Sequence, residues 1–112
     1  MDLMGRIVAH MSTALSVPVS TEVPENRPQR FVTLNRNGGS IDRFLEYQRI
    51  TVDAWDVSDE RAAALIGAAI DAAIDMPYRI NNVATVDAES AYRSDIDGAH
   101  RWSAVISVLA NH

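Results

Sequence analysis

With 112 residues, 47% apolar and 22% charged, the chain has room for one domain around one hydrophobic core and lacks the composition of a disordered segment. It contains no cysteine and all ten of its formal positive charges are arginines, which excludes disulfides, thiolate metal sites, thiol nucleophiles, a P-loop lysine and a Schiff-base lysine. Its net charge of −5 sets it apart from basic nucleic-acid binders. No stretch approaches the roughly 20 apolar residues of a membrane span, and the N-terminus lacks the apolar run of a signal peptide, so a soluble protein made in the cytoplasm is expected.

Asp2 to Ser16 is predicted as a helix, with Leu3, Met4, Ile7, Val8, Met11, Ala14 and Leu15 on one side. Asp2 can cap its first turn and Pro18 blocks its continuation. Val17 to Val23 reads as a short strand and Pro24 to Pro28 as a loop. Arg30 to Arg36 is the second strand, broken by Asn37-Gly38-Gly39-Ser40. Ile41 to Tyr47 fits a strand extension, a helical turn or a protruding loop equally well. Gln48 to Val57 alternates as a strand, with Ile50, Val52 and Ala54 on one face.

Ser58 to Met76 carries the clearest helical signature. Ser58 suits the N-cap, Asp59 and Glu60 favour the positive end of the dipole, and Ala62, Leu65, Ile66, Ala69, Ala73 and Met76 form the apolar stripe. Pro77 is expected to end it. Strands follow at about Arg79 to Ser90 and Arg101 to Leu109, separated by a polar hairpin loop from Arg93 to His100. The order α-β-β-β-α-β-β predicts an α/β protein of the α+β type: a single domain, residues 1–112, with helices packed on an antiparallel or mixed sheet.

The motifs that could carry chemistry are each better explained by structure. Asp95-x-Asp97-Gly98 opens like a calcium loop, but Ile106 stands where the twelfth-position carboxylate belongs, so a solvated turn is expected. His100 beside these aspartates has no second histidine at helpful spacing. Gly38-Gly39-Ser40 lacks the lysine and the following helix of a phosphate cradle. Asp42 and Glu46 have no neighbour that would raise one carboxyl for acid–base work. No catalytic residue, metal site or cofactor is therefore expected.

The arginines are unevenly spread. Arg27, Arg30, Arg36, Arg43 and Arg49 face only Asp42 and Glu46 within residues 27–49, a local balance of +3 that leaves −8 for the rest of the chain. Such a molecule can meet its own copy head to tail and close a ring.

Arg27-Pro28-x-Arg30-Phe31-Val32-Thr33-Leu34, then Arg36-Asn37-Gly38-Gly39, then Val52-x-Ala54-Trp55 resembles the tail terminator proteins of long-tailed (siphovirus-type) actinobacteriophages. The Ala-rich helix and the late run Ser90-x-Tyr92, Asp95-x-Asp97-Gly98, Arg101-Trp102 extend the resemblance over nearly the whole chain. It implies a virion protein without catalytic residues, assembled in the host cytoplasm and located at the tail–neck junction. Such a protein forms a ring, typically a hexamer, that ends polymerisation of the tail tube. Its implied partners are further copies of itself, the major tail (tube) protein and a head-completion or neck connector protein, with DNA passing through the lumen without specific binding. Two polar loops, Arg36 to Tyr47 and Tyr92 to Arg101, are the expected contact segments. Together with Arg30 they give the interface candidates Arg30, Arg36, Asp42, Arg43, Glu46, Tyr47, Tyr92, Arg93, Asp95, Asp97, His100 and Arg101. A head-completion or connector protein of the neck, a small enzyme or ligand-binding domain, and a small bacterial dimeric regulatory module remain alternatives.

Overall fold

The computed structural model describes residues 2–111. Helix α1 (Leu3–Leu15) starts where the Asp2 carboxylate accepts the Gly5 amide at 2.7 Å, and stops at Ser16, which turns left-handed at φ 55°. Leu3, Ile7 and Met11 are fully buried, whereas Ala14, expected on the same face, is exposed.

The expected strand over Val17–Val23 shrinks to two residues, β1 (Val19–Ser20), paired in parallel with Val32 and Thr33. Val23 is left exposed. Pro18 lacks the amide a longer ladder would need, but its carbonyl accepts the Val32 amide at 2.9 Å.

The largest departure from expectation lies at residues 37–40. Asn37-Gly38-Gly39-Ser40 does not break the second strand: β2 runs unbroken from Phe31 to Ile41 and pairs antiparallel with β3 (Leu45–Asp56) throughout. The extra residue is absorbed by a bulge between Arg36 and Gly38. Gly39 makes the continuation possible. It sits at φ 142°, and a side chain there would be driven into the Tyr47 carbonyl oxygen. The ambiguous segment Ile41–Tyr47 is thus the turn and return of one long hairpin.

Ser58 caps helix α2 (Asp59–Ile74) by accepting the Arg61 amide at 3.2 Å. The expected apolar stripe is buried as read, with Ala72 added. Pro77 does not terminate this helix. Asp75 does, and Pro77 lies in the first turn of a separate four-residue helix, α3 (Met76–Arg79), where a missing amide costs nothing. That turn consumes the start of the next expected strand, so β4 spans only Val83–Ala88. The polar segment after it is itself a hairpin: β5 (Tyr92–Arg93) pairs with β6 (His100–Asn111), which is longer than the expected Arg101–Leu109.

The strands form one mixed sheet in the order β1-β2-β3-β6-β4, with β5 beside the opposite end of β6. The helices cover one face. Val32, Leu34, Ile50, Val52, Ala54, Ala104, Ile106, Val108 and Ala110 from the strands join Leu3, Ile7, Met11, Leu65, Ile66 and the α2 alanines in a single core. Small residues on both sides let α2 lie close to the sheet. The other face holds a smaller buried group, Phe31 stacked on Trp55 with ring centroids 5.2 Å apart. Among the described residues no helix is long and apolar enough to cross a membrane.

Because Gly39 meets Tyr47 backbone, Gly39→Ala is expected to cost at least about 2 kcal/mol, combining positive-φ strain with the displaced strand. Urea denaturation measures this, and a loss under about 0.5 kcal/mol would show that the hairpin is not held in this register.

Candidate assembly surfaces

The two candidate segments lie at opposite ends of the sheet. Residues 36–47 are the far half of β2, its turn and the start of β3, which stays paired with β6. The first four residues of β2 are buried and its last seven are all exposed, so the strand leaves the core at Asn35. The tip is a tight turn organised by Asp42, whose carboxylate accepts the amides of Phe44 and Leu45 at 2.8 and 2.7 Å, while its own amide donates to the Leu45 carbonyl at 2.9 Å. This fixes the sequence Ile41-Asp42-Arg43-Phe44-Leu45 as a rigid, apolar end. Phe44 is 71% exposed and Ile41 59% exposed, with the Arg43 guanidinium 5.8 Å from the Phe44 ring centre. Arg36 is exposed on the outer strand of this arm. Glu46 accepts from the Gln48 amide group, and the Tyr47 hydroxyl lies 3.3 Å from that of Ser107.

The second segment is not a loop but a two-stranded hairpin whose turn, Asp97-Gly98, has φ of 50° and 77°. Two left-handed residues in succession are the type I′ geometry that an Asp-Gly pair favours. Ile96 and Ala99 exchange backbone bonds across it. Its polar side chains are engaged with one another. Arg93 binds Asp95 at 2.8 Å and Asp59, in the first turn of α2, at 3.1 Å. Asp59 also accepts the Trp102 indole N–H at 2.9 Å, so this chain of contacts ties the hairpin to the helix. The other oxygen of Asp95 accepts the Arg101 amide at 3.1 Å, and His100 stands 4.0 Å away. The hydrogen bond from Arg93, and next the Arg101 amide, holds the Asp95 carboxyl below its ordinary value, and the same contact with Asp95, aided by Asp59, holds the Arg93 guanidinium above its own. Arg101 donates to the Ser94 carbonyl at 2.9 Å and lies over Trp55, 5.2 Å from the ring centre.

The structure therefore separates the twelve candidates. Arg36, Asp42, Arg43, Glu46 and Tyr47 belong to the arm. Tyr92, Arg93, Asp95, Asp97, His100 and Arg101 belong to the hairpin at the far end, where Tyr92 and Asp97 are exposed. Arg30 joins neither group. It lies 3.1 Å from Asp56, whose side chain is only 1% exposed and which also has Arg61 at 3.7 Å. The nearer of two guanidiniums that balance a buried carboxylate, Arg30 belongs to the fold.

Sequence reasoning named the charged residues of the arm but missed its apolar tip, Ile41, Phe44 and Leu45. The signal was available: apolar residues flank a two-residue polar step between two alternating runs. It was hidden by reading Gly38-Gly39 as a break. The grooves offer no assembled chemistry. One groove, about 490 Å³ between α1 and α3, is lined by Arg6, His10, Thr13 and Arg79. His10 is bound to the Ala72 carbonyl at 2.8 Å and Arg6 to Asn82.

No protein-family model matches this chain, and neither does the sequence of any curated protein. Its fold, however, is similar to that of a chain in the solved structure "Virion of native gene transfer agent (GTA) particle". The TM-score is 0.72 with 12% sequence identity, and the match covers 98% of this chain and 95% of that one. At that identity the likeness is one of fold, and it extends over the whole α+β domain.

The Asp95 contacts give a pH prediction. A depressed carboxyl stabilises the hairpin above the unfolded pKa of about 3.9, and that contribution is lost as pH falls through the lower folded value. In an NMR titration Asp95 is expected to protonate below the ordinary carboxylate range, and Arg93→Ala to move its midpoint up towards it. An unchanged midpoint in that variant would mean that Arg93 does not hold the hairpin.

Proposed function

We propose that the chain is a structural protein of a phage-type virion, a tail terminator whose copies form a ring on the end of the tail tube. The observation that carries this reading is the exposed arm. In a small α+β domain of 112 residues the far half of β2 and its turn leave the core and place Ile41, Phe44 and Leu45 in solvent. Exposed apolar residues on a rigid support mark a contact surface. The likeness of fold to a chain of a gene transfer agent virion supports a virion component. The two ends of the sheet differ in character, with an exposed apolar tip at the arm and polar, internally bonded side chains at the β5–β6 hairpin. A subunit between two unlike neighbours, a tube below and a neck above, needs such a pair of unlike ends.

In this reading the mechanism is geometric and not catalytic. Identical subunits close a ring, and the arm seats on the last ring of tube protein and denies it a further copy. The opposite end receives a head-completion or connector protein. The net charge of −5 suits a lumen through which DNA passes without sticking. The subunits assemble in the host cytoplasm and remain in the virion at the tail–neck junction. A head-completion role in the neck is the second reading, and the same fold likeness supports it.

Tube binding separates the two. Purified protein mixed with isolated tail tubes is expected to decorate one end of each tube, whereas a head-completion protein would bind filled heads and leave tubes bare. Burying an exposed phenylalanine contributes about 2 kcal/mol, so Phe44→Ser is expected to weaken end binding at least about tenfold without changing thermal stability. Unchanged binding would remove the arm tip from the contact.

A further inference from the structure

The sheet has two unpaired edges, and they match each other. On the β2 side, β1 covers only Val32 and Thr33, so among the described residues no strand lies beyond Arg36–Ile41. On the other side, β4 (Val83–Ala88) is the outermost strand. An exposed edge of this length invites another strand.

Following the pairing across the sheet shows that the two edges stand at the same height. Arg36 pairs with Ile50, Ile50 with Ile106 and Ile106 with Ala88. Gly39 leads in the same way through Gln48 and Val108 to Val86, and Ser40 through Tyr47 and Leu109 to Thr85. The senses also fit. Three successive antiparallel pairings, β2 with β3, β3 with β6 and β6 with β4, leave β2 and β4 running in opposite directions. A second copy rotated about an axis along the strands would bring its β4 antiparallel to β2.

The backbone donors agree in phase. The Asp42 amide bonds inward to Leu45, so alternation turns the amides of Ser40 and Gly38 inward and those of Gly39 and Ile41 outward. The Glu89 amide bonds inward to Val105 at 2.9 Å, so those of Val86 and Ala88 face outward. Gly39 and Val86, level with each other, therefore both present their backbone groups to the outside. The charges are complementary in sign where the edges are level: Arg36 stands level with Ala88 on the β2 side, and Asp87 lies beside it on β4.

We infer that neighbouring copies join by antiparallel pairing of Arg36–Ile41 of one with Val83–Ala88 of the next, so that the sheets of all copies merge into one continuous sheet around the ring. The inference rests on the ring-forming reading above and adds the joint that closes it. Equal height of the two edges favours a closed ring over a rising helix. The bulge at Arg36–Gly38 and the close fit of Gly39 against Tyr47 keep the free edge at the level of β4.

Ser40 and Thr85 supply the test. Both are exposed, both lie on the sheet face opposite the helices, and both turn their amides inward, so across the joint they form a non-hydrogen-bonded pair with Cα atoms about 4.5 Å apart. That distance suits a disulfide, and the chain has no cysteine of its own. The double variant Ser40→Cys/Thr85→Cys, oxidised in solution, is expected to give a ladder of covalent oligomers ending at one ring size, while neither single variant goes beyond a dimer. Ala88→Pro removes an outward amide at an exposed edge position without touching the core. It is expected to raise the concentration needed for assembly about tenfold and to leave the monomer folded. Rings that assemble without the Ser40–Thr85 cross-link would overturn this joint and leave the ring reading intact. Neither rings nor cross-links at high concentration would overturn both.

Discussion

The pairing of β3 with β6 is the interaction on which the other parts of the molecule depend. Twelve consecutive residue pairs, from Leu45 opposite Asn111 to Asp56 opposite His100, join strands far apart in sequence. Their helix-facing pairs, Ile50 with Ile106 and Val52 with Ala104, form the floor on which α2 rests. Their opposite-face pairs are polar or amphipathic, such as Asp53 with Ser103 and Trp55 with Arg101. Along the half of the ladder nearest Asn111 it carries the exposed end of β2 on one side and β4, whose Val83 and Val86 pack on the core, on the other, so both free edges and the separation of the two ends follow from its length. The closure entropy of such a long-range pairing has to be offset by burial, which explains why the apolar residues are densest along its helix-facing side.

Much of this was legible in the amino-acid sequence wherever a single period dominates. The helical stripe of Ala62, Leu65, Ile66, Ala69, Ala73 and Met76, the Ser58 cap, and the alternation of Ile50, Val52 and Ala54 each have one physical interpretation, and the fold agrees with it. What was not legible depended on a partner strand. Gly38-Gly39 reads as a break because isolated glycines disfavour a strand, yet β3 holds them in one through a bulge that only the partner's register reveals. Tyr92-Arg93 becomes a strand because β6 lies beside it and because Arg93 reaches Asp59, 34 positions away in sequence. Arg30 was expected at an interface, since nothing local indicates that Asp56 is buried beside it.

The candidate site divided along the same line. The charged residues of the arm could be named from composition and spacing, but their role as a frame for an apolar tip needed the turn that Asp42 builds. Most charged residues of the second segment are bound to one another, which turns the expected polar hairpin loop into a defined two-stranded hairpin. A rigid domain with one exposed arm, two level strand edges and unlike ends is suited to being one of several identical parts. That geometry, with the likeness of fold to a virion chain, underlies the proposal of a ring at the end of a tail tube.

The most direct test of that central claim is native mass spectrometry of the purified chain over a range of concentrations and salt. One discrete closed oligomer is expected, a hexamer in the tail-terminator reading, with no larger species above it. A dimer that persists at every concentration would contradict it and favour a small dimeric regulatory module.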